Sequence, residues 1–280
     1  MPNTPPRHRV RAIPEEDDRN LRGLIAMAIE ALRMFEPKGI PYYGLFSGGK
    51  DSIVLKELTR LSGVSCEWIH NITGIDPPEV VGFIRKNHPD VQMRMPERPF
   101  YASVEKRGLP MRRTRWCCHD LKERTLPAGR TTLFGIRWQE SSARRGNWRL
   151  LTYNVNSRAF TLLPILHWAD LDIWHFIRTH KLPYPSLYDE GFKRVGCWCC
   201  PYGAPARLAH IARHPKLKIR LLKAVQAWWL RREQQHAGDA ERWWGTLHFR
   251  TPAELLDWWI SDAPTPDELE PCANPDLAQQ

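Results

Sequence analysis

Six consecutive residues, Ser47-Gly48-Gly49-Lys50-Asp51-Ser52, carry the densest chemistry in this chain. They follow the apolar run Tyr42-Tyr43-Gly44-Leu45-Phe46 and precede Ile53, Val54, Leu55, Leu58 and Leu61, which recur at helical spacing. Two glycines between a strand and a helix let the backbone turn sharply and bring N–H groups close to phosphate oxygens. The helix that follows directs the positive end of its dipole at the same place. Lys50 adds a point charge, and Ser47 and Ser52 add hydroxyl donors. The spacing is not that of a Walker A loop, which places four residues between its first glycine and its Gly-Lys pair, nor that of a Rossmann fingerprint. A phosphate is the expected ligand, with Lys50 and Asp51 as candidate catalytic residues.

Cysteine supplies the second chemistry. Seven cysteines form an odd set in a chain that reads as cytoplasmic, so a disulfide framework explains them poorly. Cys117-Cys118 and Cys197-Trp198-Cys199-Cys200 bring thiols from two segments, and Cys197 and Cys200 form a C-x-x-C pair. Four of them, Cys117, Cys118, Cys197 and Cys200, match the ligand set of a [4Fe–4S] cluster, and zinc could also take four thiolates. Neighbouring side chains diverge, which suits two irons of a cube better than one tetrahedral ion, so the cluster is favoured over zinc. Cys199 exceeds the count of four. It either substitutes for Cys200 or remains a reactive thiol whose pKa is lowered by Lys193 and Arg194.

The elements that must hold these residues alternate. Leu21, Leu24, Ile25, Ala28, Ile29, Leu32 and Phe35 follow a helical period that Pro37 and Gly39 end. Strands are predicted over residues 42–46, 66–72, 91–95 and 131–137, with helical spacing between them from Pro78 and again over 171–177. Such alternation implies right-handed crossovers and an α/β fold with a doubly wound, mainly parallel sheet. Ligands in such sheets lie at the carboxyl ends of the strands, where Ser47 and the pair Thr73-Gly74 would sit. From about residue 205 the chain is helical and rich in tryptophan. The pairs Trp228-Trp229, Trp243-Trp244 and Trp258-Trp259 fall in apolar stripes, which suits helix packing better than base stacking. The expected organisation is a flexible arm over 1–18, a nucleotide domain over 19–203, a helical region over 204–263 and a flexible tail over 264–280.

Composition sets the bounds. With 280 residues, 42% of them hydrophobic, the chain can bury a core of its own, and no apolar run approaches the ~20 residues of a membrane span. The first residues lack the apolar centre of a secretory signal. A net charge of +10 favours anionic partners, nucleotide or nucleic acid.

With these motifs in view the loop resembles the PP-loop, SGGxDS, of the N-type ATP pyrophosphatases, which split ATP between its α and β phosphates. From there to about residue 203 the chain resembles the phosphoadenylylsulfate/adenylylsulfate reductase superfamily. Three segments carry the likeness: Arg115-Trp116-Cys117-Cys118-His119-Asp120-Leu121-Lys122; Gly135-Ile136-Arg137-x-x-Glu140-Ser141-x-x-Arg144; and Pro164-Ile165-x-x-Trp168 through Trp174, Leu182-Pro183-Tyr184 and Gly196-Cys197-x-x-Cys200. The resemblance implies an adenine nucleotide α-hydrolase-like fold. It also implies a nucleotide site of Ser47, Gly48, Gly49, Lys50, Asp51, Ser52, Thr73, Gly74, Gly135 and Arg137, with Arg137 and Arg144 clamping a phosphate or anionic substrate.

Two departures from the reductases favour the cluster-containing pyrophosphatases that serve DNA phosphorothioation or tRNA thiolation. Reductases alter the loop to S-x-G-x-[EQ]-D, whereas Gly49 and Lys50 keep the pyrophosphatase form. Their attacking cysteine lies in E-C-G-[IL]-H, whereas Cys272 lies in Glu270-Pro271-Cys272-Ala273-Asn274. The expectation is an ATP pyrophosphatase that uses Mg²⁺, adenylates a substrate and prepares it for sulfur transfer. DNA or RNA would be the acceptor and a sulfur-donor protein such as a cysteine desulfurase the supplier; no membrane is involved and a homo-oligomer is allowed. The alternatives are a thiol-dependent sulfonucleotide reductase that makes sulfite, and a non-catalytic nucleotide- and cluster-binding subunit.

Overall fold

The structure is a computed structural model and describes residues 15–111, 116–123, 126–155, 158–201, 204–235 and 249–261. In chain order the first elements are α1 (Glu15–Met34), β1 (Tyr42–Leu45), α2 (Lys50–Ser62), β2 (Cys66–Asn71), α3 (Pro78–Asn87), β3 (Gln92–Arg94) and α4 (Phe100–Arg107). A short α5 (Trp116–Cys118) runs into a π-helical turn at His119–Glu123, followed by β4 (Thr132–Leu133) and a 3₁₀ turn at Trp138–Glu140. Next come α6 (Ser142–Asn147), β5 (Leu151–Asn154), β6 (Ala159–Leu162) and α7 (Asp170–Thr179). The last helices are α8 (Ala204–Arg213), α9 (Pro215–Gln235) and α10 (Pro252–Ser261).

Six strands form one sheet in the order β3-β2-β1-β4-β6-β5. β1 runs parallel to β2 and to β4, β4 runs parallel to β6, and only the edge hairpin of β5 and β6 is antiparallel among the strand pairs described. The mainly parallel α/β sheet expected from the alternating pattern is therefore present. Its central strand β1 is buried on both faces at Tyr42 and Tyr43, as crossover helices require.

The chain divides into two compact units, Met1–Ile69 with Pro127–Tyr184, and His70–Leu126 with Pro185–Gln280. In the first, α1, α2 and α7 pack on one another. Helix α1 starts at Glu15, so residues 15–18, expected in a loose arm, are helical. Asp18 pairs with Arg22 one turn on. Strand β4 is shorter than the predicted 131–137, because the chain leaves the ladder after Leu133 to approach α2. The antiparallel β5–β6 pair was not foreseen from the pattern.

The second unit has its own core, in which α4 lies along α9 and Phe100, Val104, Leu221, Val225, Trp228 and Trp259 meet. The tryptophans at 228, 229 and 259 are buried, as helix packing predicts, and the Trp259 indole donates to Pro110 O at 2.9 Å. The helices after residue 203 thus share a core with residues 100–109 instead of forming a region of their own. Trp243-Trp244, residues 1–14 and the tail from 262, Cys272 included, lie outside the described residues. Among the described residues no helix is long and apolar enough to cross a membrane.

Helix α8 buries His210 against Phe192, with ring centroids 4.7 Å apart. Burial pushes the imidazole pKa below its ordinary 6.5; Glu79 and Glu190 oppose that shift, and His214 and Arg213 add to it. A depressed histidine contributes stability that is complete above pH 6.5 and is lost as pH falls through the lowered value. Replacing His210 with leucine is expected to flatten the stability–pH curve below 6.5 by up to about 1.4 kcal/mol per pH unit. Denaturant titrations at pH 7 and pH 5 measure this, and an unchanged pH dependence would exclude His210 as its source.

Candidate functional site

The Ser47–Ser52 loop begins where β1 ends, with Phe46 N–H still bonded to Ile69 O at 2.8 Å. Gly48 takes φ 75°, the left-handed region that costs a side-chain-bearing residue about 1–3 kcal/mol. Gly49 is the N-cap of α2 and brings no side chain to its first-turn amides. The serines hold the loop: Ser52 Oγ donates to Gly49 O at 2.8 Å, Ser47 Oγ lies 3.2 Å from Ser52 Oγ, and Gly49 N–H donates to Ser47 Oγ at 3.3 Å. A loop held by its own hydroxyls, opening a long helix, presents amides and a positive dipole end to an anion. We expect Gly48→Ala to lower the affinity for Mg-ATP at least tenfold while lowering the melting temperature by roughly 2–12 °C, the effect of the backbone strain alone. Equilibrium binding beside a thermal melt would measure this, and unchanged affinity would mean that the loop conformation is not the binding conformation.

Two bases and two acids meet at the start of α2. Lys50 is 5% exposed; its Nζ contacts Asp170 Oδ1 at 2.8 Å and lies 5.7 Å from the Trp174 ring centre. Arg137 is 4% exposed and holds both acids at once, donating from Nε to Asp51 Oδ1 at 2.6 Å and from Nη2 to Asp170 Oδ1 at 2.9 Å. Its Nη1 donates to Gln139 Oε1 and Trp168 O. Gln139 Oε1 also accepts from Asp170 N–H at 2.6 Å. Burial pushes the Asp170 carboxyl up, but Lys50 and Arg137 outweigh it and hold it below the usual carboxylate range. Each planar fork bond is directional, so Arg137 fixes where Asp51 and Asp170 stand. Expected as a phosphate clamp, Arg137 is engaged with four protein groups, the carboxylates of Asp51 and Asp170, the Gln139 side chain and Trp168 O.

The rest of the Gly135–Arg144 motif supports that geometry. A Cβ on Gly135 would stand 3.1 Å from the Asp51 carbonyl carbon and 3.2 Å from its oxygen, so a side chain here would push the chain and the start of α2 apart by a few tenths of an ångström. Glu140 accepts the Arg137 N–H at 3.1 Å and pairs with Arg144, and Ser141 caps α6 by accepting the Arg144 N–H at 3.2 Å. Arg144 therefore stands on α6 against Glu140.

The cysteines gather in the second unit. A turn closed by Cys200 N–H on Cys197 O (3.2 Å) brings the C-x-x-C ends together, and Trp198 N–H on Ile75 O (2.8 Å) pins the turn to the chain after Thr73. Thr73 is buried with Oγ1 3.8 Å from Cys197 Sγ, and its N–H donates to Asp76 Oδ2 at 2.7 Å. Thr73, expected to bind the nucleotide together with Gly74, thus has its hydroxyl against the Cys197 thiol. Lys122 Nζ contacts Cys197 Sγ at 3.4 Å, and the nearby sulfur raises the ammonium pKa. The hydrogen bond with the Cys118 thiol, burial, and the proximity of Cys197 and Cys199 all push the Cys117 thiol up. Cys199 is fully buried, and burial raises its thiol well above the ordinary value. The lowered pKa expected from Lys193 and Arg194 is thus reversed, because desolvation outweighs the opposing positive charge of Arg207.

Among the described residues no three His, Cys, Asp or Glu side chains converge on one ion position. A four-iron cube instead asks for thiolates spread over its corners, and the donor set here, five thiols from two segments in one partly buried place, fits that group by type and number.

Asp170, Asp76, Lys122 and Trp174 are the site members whose roles sequence spacing did not assign. Lys122 and Trp174 stood within quoted motifs, but Asp170 had no signal, since an acid at a helix start is ordinarily explained by the dipole.

Comparison with known proteins places these features in context. Residues 42–202 match the phosphoadenosine phosphosulfate reductase domain family. An uncharacterized protein of Methanocaldococcus jannaschii is 30% identical over 217 residues, which are 71% of this chain and 43% of that protein. Adenosine 5'-phosphosulfate reductase 2 of Bacillus subtilis is 26% identical over 170 residues, 57% of this chain and 72% of that protein. Among solved structures, a phosphoadenylyl-sulfate reductase from Candida auris in a phosphate complex aligns with TM-score 0.49 at 18% identity, covering 68% of this chain and 98% of that one. The chain spans less than half the length of the first of these relatives.

Proposed function

From the premise that this chain belongs to the phosphoadenosine phosphosulfate reductase domain family, we propose that it is an ATP pyrophosphatase that adenylates an acceptor for sulfur transfer. The observation that carries this reading is the unaltered Gly48-Gly49-Lys50-Asp51 loop, with Lys50 buried at the head of α2 among Asp51, Arg137 and Asp170. Mg-ATP arrives as substrate, its phosphates on the loop amides. An acceptor oxygen attacks the α-phosphorus, the bond to the bridging oxygen of the β-phosphate breaks, and pyrophosphate leaves. The charge that builds on the leaving group meets Lys50 and the dipole of α2. Arg137 keeps Asp51 and Asp170 from swinging into the space the phosphates need. A sulfur nucleophile then displaces AMP from the activated acceptor.

When bound, a [4Fe–4S] cluster held by Cys117, Cys118, Cys197 and Cys200, with Cys199 as a substitute ligand and zinc as the weaker alternative, supplies sulfur-handling chemistry. The half-buried Lys122 contacts Cys197 and offsets negative charge where the thiolates would collect. The acceptor we favour is nucleic acid, on the strength of the +10 net charge. The sulfur would come from a donor protein such as a cysteine desulfurase.

The test runs two reactions on one anaerobic preparation. Mg-ATP with candidate acceptors is expected to yield AMP and pyrophosphate, while adenylylsulfate with a thiol donor is expected to yield no sulfite. Sulfite without pyrophosphate would make the protein a reductase, and tight ATP binding without cleavage would make it a binding subunit.

A further inference from the structure

The edge hairpin carries two features that nothing in the ATP chemistry uses. Tyr153 and Phe160 face each other across β5 and β6, their rings in edge contact at 5.3 Å and 69°. Both lie on the outer face, 53% and 46% exposed, and the neighbouring Val155 is 77% exposed. An aromatic pair left in water is unusual on a folded surface and points to a partner that stacks or packs on it.

The charge around the pair says which partner. From Ser141 to Ala169 the chain contains no Asp or Glu and carries Arg144, Arg145, Arg149 and Arg158. Arg144 is paired with Glu140, whereas Arg145, Arg149 and Arg158 are exposed. Arg149 lies at the end of α6, its Nη1 donating to Gly146 O and Trp148 O. A protein strand adding to the β5 edge would satisfy the aromatics but would leave this one-signed charge unanswered. Exposed rings beside Arg145, Arg149 and Arg158, which pair with no acid among the described residues, instead match the two needs of an unpaired polynucleotide: faces on which bases stack, and cations along the phosphates.

The same surface leads towards the nucleotide loop. A recess of about 390 Å³, walled by Trp138, Gln139, Arg145 and the start of α6, opens between the 3₁₀ turn and the helix. Its Gln139 is the side chain that binds both Arg137 and the Asp170 backbone. A nucleotide seated there would stand one side chain away from the group that holds Asp51.

We infer that the β5–β6 hairpin and α6 form the binding surface for a single-stranded polynucleotide, Tyr153 and Phe160 stacking its bases and Arg145, Arg149 and Arg158 meeting its phosphates. This deepens the acceptor half of the proposed function and rests on it. A duplex keeps its bases stacked inside and cannot use the ring pair, so the surface selects unpaired strands.

The test is fluorescence anisotropy with labelled 12-nucleotide single strands of DNA and of RNA, without ATP, against a duplex of the same sequence. Wild type is expected to prefer the single strand at least tenfold. Tyr153→Ala with Phe160→Ala should weaken binding at least tenfold, and Tyr153→Trp with Phe160→Trp should restore it. Arg145→Ala with Arg158→Ala should reduce the slope of log affinity against log salt by about 1.4. Circular dichroism of each variant controls for folding, and the tryptophan variant separates stacking from loss of structure. No binding by wild type at 10-fold the concentrations typical of nonspecific binding, equal binding of duplex, or an alanine double variant that binds like wild type would overturn the inference. Strand binding that behaves as expected without pyrophosphate release sinks only the ATP reading, and pyrophosphate release with hairpin variants that bind normally sinks only this one.

Discussion

Replacing Lys50 with alanine is expected to slow pyrophosphate release by two to three orders of magnitude, roughly 2.7–4 kcal/mol of transition-state stabilisation. The size follows from where the ammonium stands. It is 5% exposed at the first position of α2, so water screens it little, and its contact with Asp170 at 2.8 Å orients it before substrate arrives. Charge grows on the pyrophosphate during cleavage, so the loss should appear in kcat more than in KM. Lysine to arginine should rescue poorly, since a wide planar fork replaces a compact charge in a packed place beside Trp174. Full activity in the alanine variant would show that Lys50 does not face the phosphates.

The second large effect belongs to Arg137, and it falls on folding as well as on rate. Its guanidinium joins α2, the turn after β4 and the start of α7 through Asp51, Trp168 O and Asp170. Removing one partner of a buried ion pair costs about 3–5 kcal/mol, because the other charges remain where water cannot reach them well. Against a total stability of about 5–15 kcal/mol that is a large share. The discount here is that Asp170 is 46% exposed and can be partly rehydrated, so the lower end of the range is the better expectation for Arg137→Ala. A thermal melt should drop by roughly 6–12 °C. Arg137→Lys should recover part of the stability, as one point charge can serve either carboxylate but cannot bridge both. A melting temperature within 2 °C of wild type would show that the fork does not hold these elements together.

What the sequence made legible was local. The Ser47–Ser52 loop could be read because every residue that shapes it is contiguous, and strand, glycine pair and helix onset each leave their own mark within a few positions. β1 and β2 were equally plain, being buried runs bounded by Gly and Pro. The partner of Lys50 was not legible: Asp170 reaches it only because β6 lies beside β4, a pairing no spacing encodes. The β5–β6 hairpin escaped for a related reason, since a strand with one wet face and short length leaves little periodic signal. Cysteine spacing marked two segments that both pack on the core of the second unit. It could not say that Cys199 is fully buried, and that burial set the direction of its thiol's shift. The helices after residue 203 share their core with α4, although sequence order alone suggested an appendage.

The central claim is that the loop after β1 holds ATP so that its inner anhydride breaks. Phosphorus NMR of Mg-ATP incubated with the anaerobically prepared protein and a single-stranded acceptor tests it in one spectrum. Signals of AMP, or of an adenylylated acceptor, growing in step with pyrophosphate are the predicted result. Growth of ADP and inorganic phosphate instead, or an ATP spectrum unchanged over hours at millimolar concentration, would contradict it.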